Sequence, residues 1–82
     1  MLKLKLKIYY HLLRNVDLLE KYLSLTTREE EIFLHTISGK LSKQIASELN
    51  INVKTVESHR SSINKKLDIK NIPEFLYILL LN

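Results

Sequence analysis

The chain has no cysteine, and only one glycine and one proline in 82 residues. Without thiols it can form neither disulfides nor thiolate metal sites. So little glycine and proline, beside abundant leucine, suits an all-helical fold with short connections. Long apolar runs are missing too. The longest, Phe75 to Leu81, is far too short to span a bilayer. The start, Met1-Leu-Lys-Leu-Lys-Leu-Lys, alternates lysine with leucine and lacks the continuous apolar stretch of a secretion signal. A cytoplasmic location with no membrane partner is the expectation. His11, His35 and His59 lie too far apart in sequence to form a local metal-ligand motif. No catalytic constellation can be assembled, so an enzyme is not expected, and no cofactor or metal is implied.

What is present is basic charge. Lys plus Arg number 13 against 9 acids, a formal charge of +4. Between Lys40 and Lys70 there are seven basic residues and three acids, so the excess lies on one segment. That favours an anionic partner for this segment. A chain of this length forms one domain and buries roughly 60–65% of its unfolded surface, so dimerisation would be a natural supplement to its stability.

Residues 1–8 alternate with period two, which fits a strand, but no second strand is available to pair with it. A frayed start or a helix extension is expected instead. From Tyr9 the period becomes helical: Leu12, Val16, Leu19 and Leu23 fall at spacings of 4, 3 and 4. This predicts a single helix over Tyr9–Leu23, packed on the domain rather than forming an independent coiled coil. Residues 1–23 are thus read as a basic segment with an amphipathic helix, and 24–82 as the main domain.

Thr26 with Glu29 three residues later predicts a capping box, and Glu30 and Glu31 extend an acidic first turn. Ile32, Phe33 and Ile37 supply core, while His35 reads as surface or packing. Gly39 stands where a helix-ending glycine is expected. Ser42 is expected to cap the next helix and Asn52 the one after it. The last helix starts near Pro73, where a missing amide donor costs nothing. Its apolar residues cover nearly every face, so one side packs inward and the other points to a partner surface.

The stretch from Leu41 to Leu67 carries the functional signal. Leu41, Ile45, Ala46 and Leu49 make one apolar stripe, Asn50-Ile51-Asn52 breaks it, and Val56, Ile63 and Leu67 restart the helical period. A short helix, a short turn and a longer helix with a polar outer face form the unit that places a helix in a DNA major groove. At about 100° per residue, Ile63, Leu67 and the stem of Arg60 fall within about 40° of Val56. The opposite face carries Lys54, Ser58, Ser61 and Lys65, with Glu57 and Ser62 on the flanks. A solvated surface helix could carry the same residues. Small serines, however, allow close approach to base edges, and the lysines bracket them as phosphate partners would.

Serine can hydrogen-bond several bases, and Glu57 could accept from a cytosine amino group. Lys54 can reach guanine or a phosphate; Lys65, at the far end, suits phosphate. Lys43 and the free amides beside it are further phosphate candidates. For His59, between the inner and outer faces, packing and a phosphate contact are both open. Arg60 is expected to bury its stem and hold its head at the DNA backbone.

Leu25-Thr-Thr-Arg-Glu, Gly39-Lys-Leu-Ser-Lys-Gln-Ile-Ala and Thr55-Val-Glu-Ser-His-Arg…Ile63-Asn-Lys-Lys-Leu together resemble the LuxR/FixJ (NarL/GerE-type) DNA-binding domain. The three motifs arrive in order at that family's spacing, over about Ser24 to Leu81. The resemblance implies a four-helix domain preceded by a linker-like helix, which binds double-stranded DNA as a dimer and regulates transcription. It puts base contacts on Glu57, Ser58 and Ser61. Backbone contacts would fall near Thr27, Lys43, Lys54, Thr55 and Lys66, and the dimer interface on the last helix, at Phe75, Ile78 and Leu79. Asp68 departs from the pattern, standing where glycine is common, as do Asn52 in place of serine and Ile72-Pro73 before the last helix. Only about 23 residues precede the module, so the expectation is a stand-alone regulator without a receiver. The alternative is a protein-interaction module that titrates a larger regulator.

Overall fold

Six α-helices follow one another in the computed structural model, which describes residues 1–81 (Leu81 by its backbone alone): α1 (Leu2–Leu12), α2 (Val16–Leu23), α3 (Thr27–Ile37), α4 (Ser42–Leu49), α5 (Val53–Leu67) and α6 (Ile72–Leu81). The all-α reading holds, with α3 to α6 forming the four-helix unit. No strand occurs among the described residues, and no helix among them is long and apolar enough to cross a membrane.

The N-terminal segment differs from its sequence reading. The single helix expected over Tyr9–Leu23 is broken: α1 ends at Leu12 and Asn15 starts α2, its side chain accepting from the Leu18 amide at 3.3 Å. The expected 4-3-4 seam therefore does not exist as one stripe, since Val16 and Leu23 are exposed. The lysine–leucine alternation is helical. Ile8 and Leu12, four residues apart on one face, are buried with Leu18 and Tyr22 of α2 in the same core as the other four helices.

Burial explains the remaining elements. Ile32 and Phe33 of α3, Ile45 and Ala46 of α4, Val56, Ile63 and Leu67 of α5, and Ile72, Phe75 and Leu79 of α6 close one core. Its centre is aromatic. The Phe33 ring meets Phe75 edge-on at 5.2 Å and Tyr22 at 5.4 Å, geometry that adds to plain area burial.

The expected helix stops are found as well. Gly39 follows α3 at φ +97°, the Lys40 amide donating back to the His35 carbonyl and the Gly39 amide to that of Thr36. Asp68 follows α5 at φ 56° and makes the equivalent pair, its own amide to Lys65 and that of Ile69 to Asn64. The turn is therefore the one a glycine would make, built from a residue that is strained there. Asp68→Gly is expected to raise stability by about 0.5–1 kcal/mol, because relief of the left-handed strain exceeds the added freedom of the unfolded chain. Urea denaturation checks it; unchanged or lower stability would show that the exposed Lys21–Asp68 pair, at 3.7 Å, matters more than the backbone.

Candidate nucleic-acid interface

Three residues separate α4 from α5. Asn50 takes a left-handed conformation at φ 55°, and the Ile51 amide returns to the Ala46 carbonyl at 3.0 Å. Asn52 then caps α5, its side chain accepting from the Lys54 amide at 2.8 Å. This turn sets the helix-turn-helix. The start of α4 corrects the sequence reading: Leu41, not Ser42, holds the N-cap position, and the Gln44 side chain accepts from the Leu41 amide at 2.8 Å. Ser42 is buried one position further in, where it serves α5 instead.

What it serves is Arg60. The guanidinium donates to Ser42 Oγ at 2.6 Å and to Thr36 Oγ1 at 3.2 and 3.3 Å, tying α5 to both α4 and α3. The expected position of its head, on a DNA backbone, is not the one observed; the planar fork is used inside the fold. Only the Glu57 carboxylate, 3.9 Å away, meets it from the outer side.

Glu29 holds the other flank of α5. Its Oε1 closes the capping box with the Thr26 amide at 2.8 Å and accepts from Lys66 Nζ at 2.7 Å, while its Oε2 accepts from Ser62 Oγ at 2.7 Å. Burial alone would raise this carboxyl. The hydrogen bonds from Lys66, the Thr26 backbone and Ser62, together with the Lys66 charge, outweigh burial and lower it to about 2. Lys66, expected at a phosphate, is thus turned inward as the counter-ion of a buried carboxylate. A phosphate contact would compete with that pair.

The remaining candidates face solvent. Lys54, Thr55, Glu57, Ser58, Ser61 and Lys65 are exposed along α5, Thr27 at the first turn of α3 and Lys43 at that of α4; His59 is half-buried between faces. Lys5, Lys21, Arg28, Lys40, Arg60 and Lys66 each have an acidic partner; among the described residues no acid pairs with Lys43, Lys54 or Lys65 on this face, nor with Lys3, Lys7, Arg14 or Lys70 elsewhere. An open groove of about 430 Å³ runs beside this face towards the start of α6, lined in part by Glu57, Ser61, Asn64 and Pro73. No group of residues able to hold a metal ion occurs among those described.

Two of the three residues expected at a dimer interface on α6, Phe75 and Leu79, turn inward. Ile72, Phe75 and Leu79 share one side at spacings of 3 and 4, and Phe75 and Leu79 are 0% and 1% exposed in the chain's own core. Ile78 is half-buried. Among the described side chains, the large apolar ones that α6 exposes are Tyr77 and Leu80.

Sequence reasoning missed the Arg60 and Glu29 networks. A signal was available: Ser62 and Lys66, four apart, lie off the outer face and so needed an internal acceptor.

A helix-turn-helix whose second helix turns small polar residues and unpaired cations outward defines a DNA-binding regulatory class. The chain belongs to the luxR family of bacterial regulatory proteins, whose model matches residues 23–79. It is similar to the response regulator protein TodT of Pseudomonas putida, 36% identical over 62 residues that cover 76% of this chain and 27% of TodT. The transcriptional regulatory protein TdiR of Thauera aromatica is 37% identical over 67 residues, 82% of this chain and 28% of TdiR. The uncharacterized response regulatory protein YgeK of Escherichia coli K12 is 51% identical over 45 residues, 55% of this chain and 31% of YgeK. The chain spans less than a third of the length of these relatives. No solved structure matches it significantly.

Proposed function

We propose that the chain is a sequence-specific transcription regulator that inserts α5 into the DNA major groove and binds a two-fold symmetric site as a dimer. One observation carries the reading. Of the basic residues on α4 and α5, Arg60 and Lys66 are held by side chains of the fold, whereas Lys43, Lys54 and Lys65 face outward and have no acidic partner among the described residues. Lysines bracketing two serines suit a polyanion with readable edges. In this reading Lys54, Glu57, Ser58 and Ser61 meet base edges, and Thr27, Lys43, Thr55, His59 and Lys65 meet phosphates. Pairing of two copies through α6 uses Tyr77 and Leu80, with Ile78 beside them, rather than Phe75 and Leu79.

Selection from a randomised duplex pool near physiological salt tests the proposal. An inverted repeat in the bound fraction is expected, and its half-site spacing gives the dimer geometry. Absence of retention at any salt sinks the DNA reading and favours the titrating interaction module. Lys65→Ala should weaken binding evenly across sequences and lower the salt slope by about 0.9. Lys54→Ala should in addition relax preference at one position of the site.

A further inference from the structure

Of the eleven large apolar side chains left exposed among the described residues, seven lie within residues 1–23. They are not scattered. On α1 and its C-cap, Leu2, Leu6, Tyr10 and Leu13 recur at spacings of 4, 4 and 3, which puts them on one stripe at 58–70% exposure. This stripe is separate from the face that buries Ile8 and Leu12. On α2, Val16 and Leu23, two turns apart, are 62% and 61% exposed. Leu13 and Val16 stand on either side of the connecting turn, 70% and 62% exposed. Exposed apolar side chains gathered in this number mark an interaction site.

Charge identifies the occupant. Lys3 and Lys7 flank the α1 stripe, both exposed and without an acidic partner among the described residues, and α1 contains no acid. On α2, Glu20 lies beside the stripe of Val16 and Leu23, and Asp17 about 60° further round; both are exposed and neither has a cationic partner among the described residues. The hairpin of α1 and α2 is therefore complementary to itself, basic–apolar against acidic–apolar.

We propose that the α1–α2 hairpin is a self-association surface, on which α1 of one copy docks against α2 of a second. Two-fold symmetry then makes the contact twice, α1 on the partner's α2 and α2 on the partner's α1. Pairing α1 with a second α1 brings only lysines together, so opposite charge fixes the register. The surface is separate from the outward side of α6 and does not depend on the DNA reading.

A charge swap tests it, made in a Tyr77→Ser/Leu80→Ser background so that association through α6 does not register. The background protein is expected to dimerise in sedimentation equilibrium at concentrations on the order of 100 µM. Lys3→Glu/Lys7→Glu and Asp17→Lys/Glu20→Lys should each weaken that dimerisation by about tenfold or more, because each makes both helices of the hairpin alike in sign. An equimolar mixture should recover it as a heterodimer. All four positions are exposed, and helical circular dichroism verifies folding. Should one swap misfold, Leu6→Asn/Leu13→Asn replaces it and should also give monomers. A monomeric background protein, swaps that still dimerise, or a mixture that stays monomeric each overturn the proposal. A monomer that instead sediments with anionic lipid vesicles also overturns it, and assigns the stripe to a membrane surface.

Discussion

Tyrosine at both Ser58 and Ser61 is expected to abolish sequence-selective DNA retention, by at least about 100-fold, while thermal unfolding stays within a few degrees of the parent. Both serines are exposed, so neither contributes packing to the core. In the groove two rings would hold α5 away from the base edges, and each base pair no longer read costs about 1–3 kcal/mol. Electrostatic attraction survives, because Lys43, Lys54 and Lys65 are untouched. The variant should therefore still bind duplex weakly at low salt and without preference. Enrichment sequencing beside a salt titration separates the two components. A variant that keeps the parent's preferred sequence would show that α5 does not read bases through this face.

Glu29→Ala should be the most damaging single change outside the apolar core, by about 2–4 kcal/mol. It leaves the Thr26 amide, the Ser62 hydroxyl and the Lys66 ammonium without their shared acceptor. For a domain whose total stability is only several kcal/mol, much of it would be gone. The pH dependence follows from the same site. With a folded value of about 2 against 4.5 for the free carboxyl, the ionised form is favoured in the folded state. Its contribution is complete above about pH 4.5 and is lost as pH falls towards 2, amounting to up to about 3 kcal/mol. Glu29→Gln retains a partial set of hydrogen bonds but should flatten the acid limb. Urea midpoints taken from pH 6 to 2.5 check both variants. An acid limb unchanged in Glu29→Gln would assign acid unfolding to other carboxylates.

The parts of this fold that were legible in the sequence are those set by local chemistry. Thr26 with Glu29, Asn52, Gly39 and the 3.6-residue period of α5 each act within a turn of themselves, and each is found as read. The illegible parts depend on which residue comes near from far along the chain. Glu30, read as one more acid in a first turn, accepts from Tyr22 at 2.7 Å and Tyr9 at 3.2 Å and pairs with Lys5, joining α1 and α2 to α3. Burial and that carboxylate together push the Tyr22 hydroxyl well above its ordinary range, so it stays a donor. The apolar surplus of α6 was legible as a total but not by side. Seven successive apolar residues carry no amphipathic signal, and only packing decides that Phe75 and Leu79 turn inward while Tyr77 and Leu80 do not. The outer face of α5 was legible because its polar and apolar residues alternate at the helical period. The inward partners of Arg60 and Lys66 were not legible, because a cation looks the same in sequence whether it meets a phosphate, a buried serine or a buried carboxylate.

Arg60 on one flank of α5 and Glu29 on the other oppose rolling of that helix about its own axis. A helix free to roll could adjust to each groove it met and would discriminate poorly. Held from both sides by side chains that reach α3 and α4, it offers one fixed surface. With α5 in the groove as proposed, misfit would then fall on the nucleic acid, through bending or a change in groove width. Flanking bases that no side chain touches would contribute to selection through their stiffness.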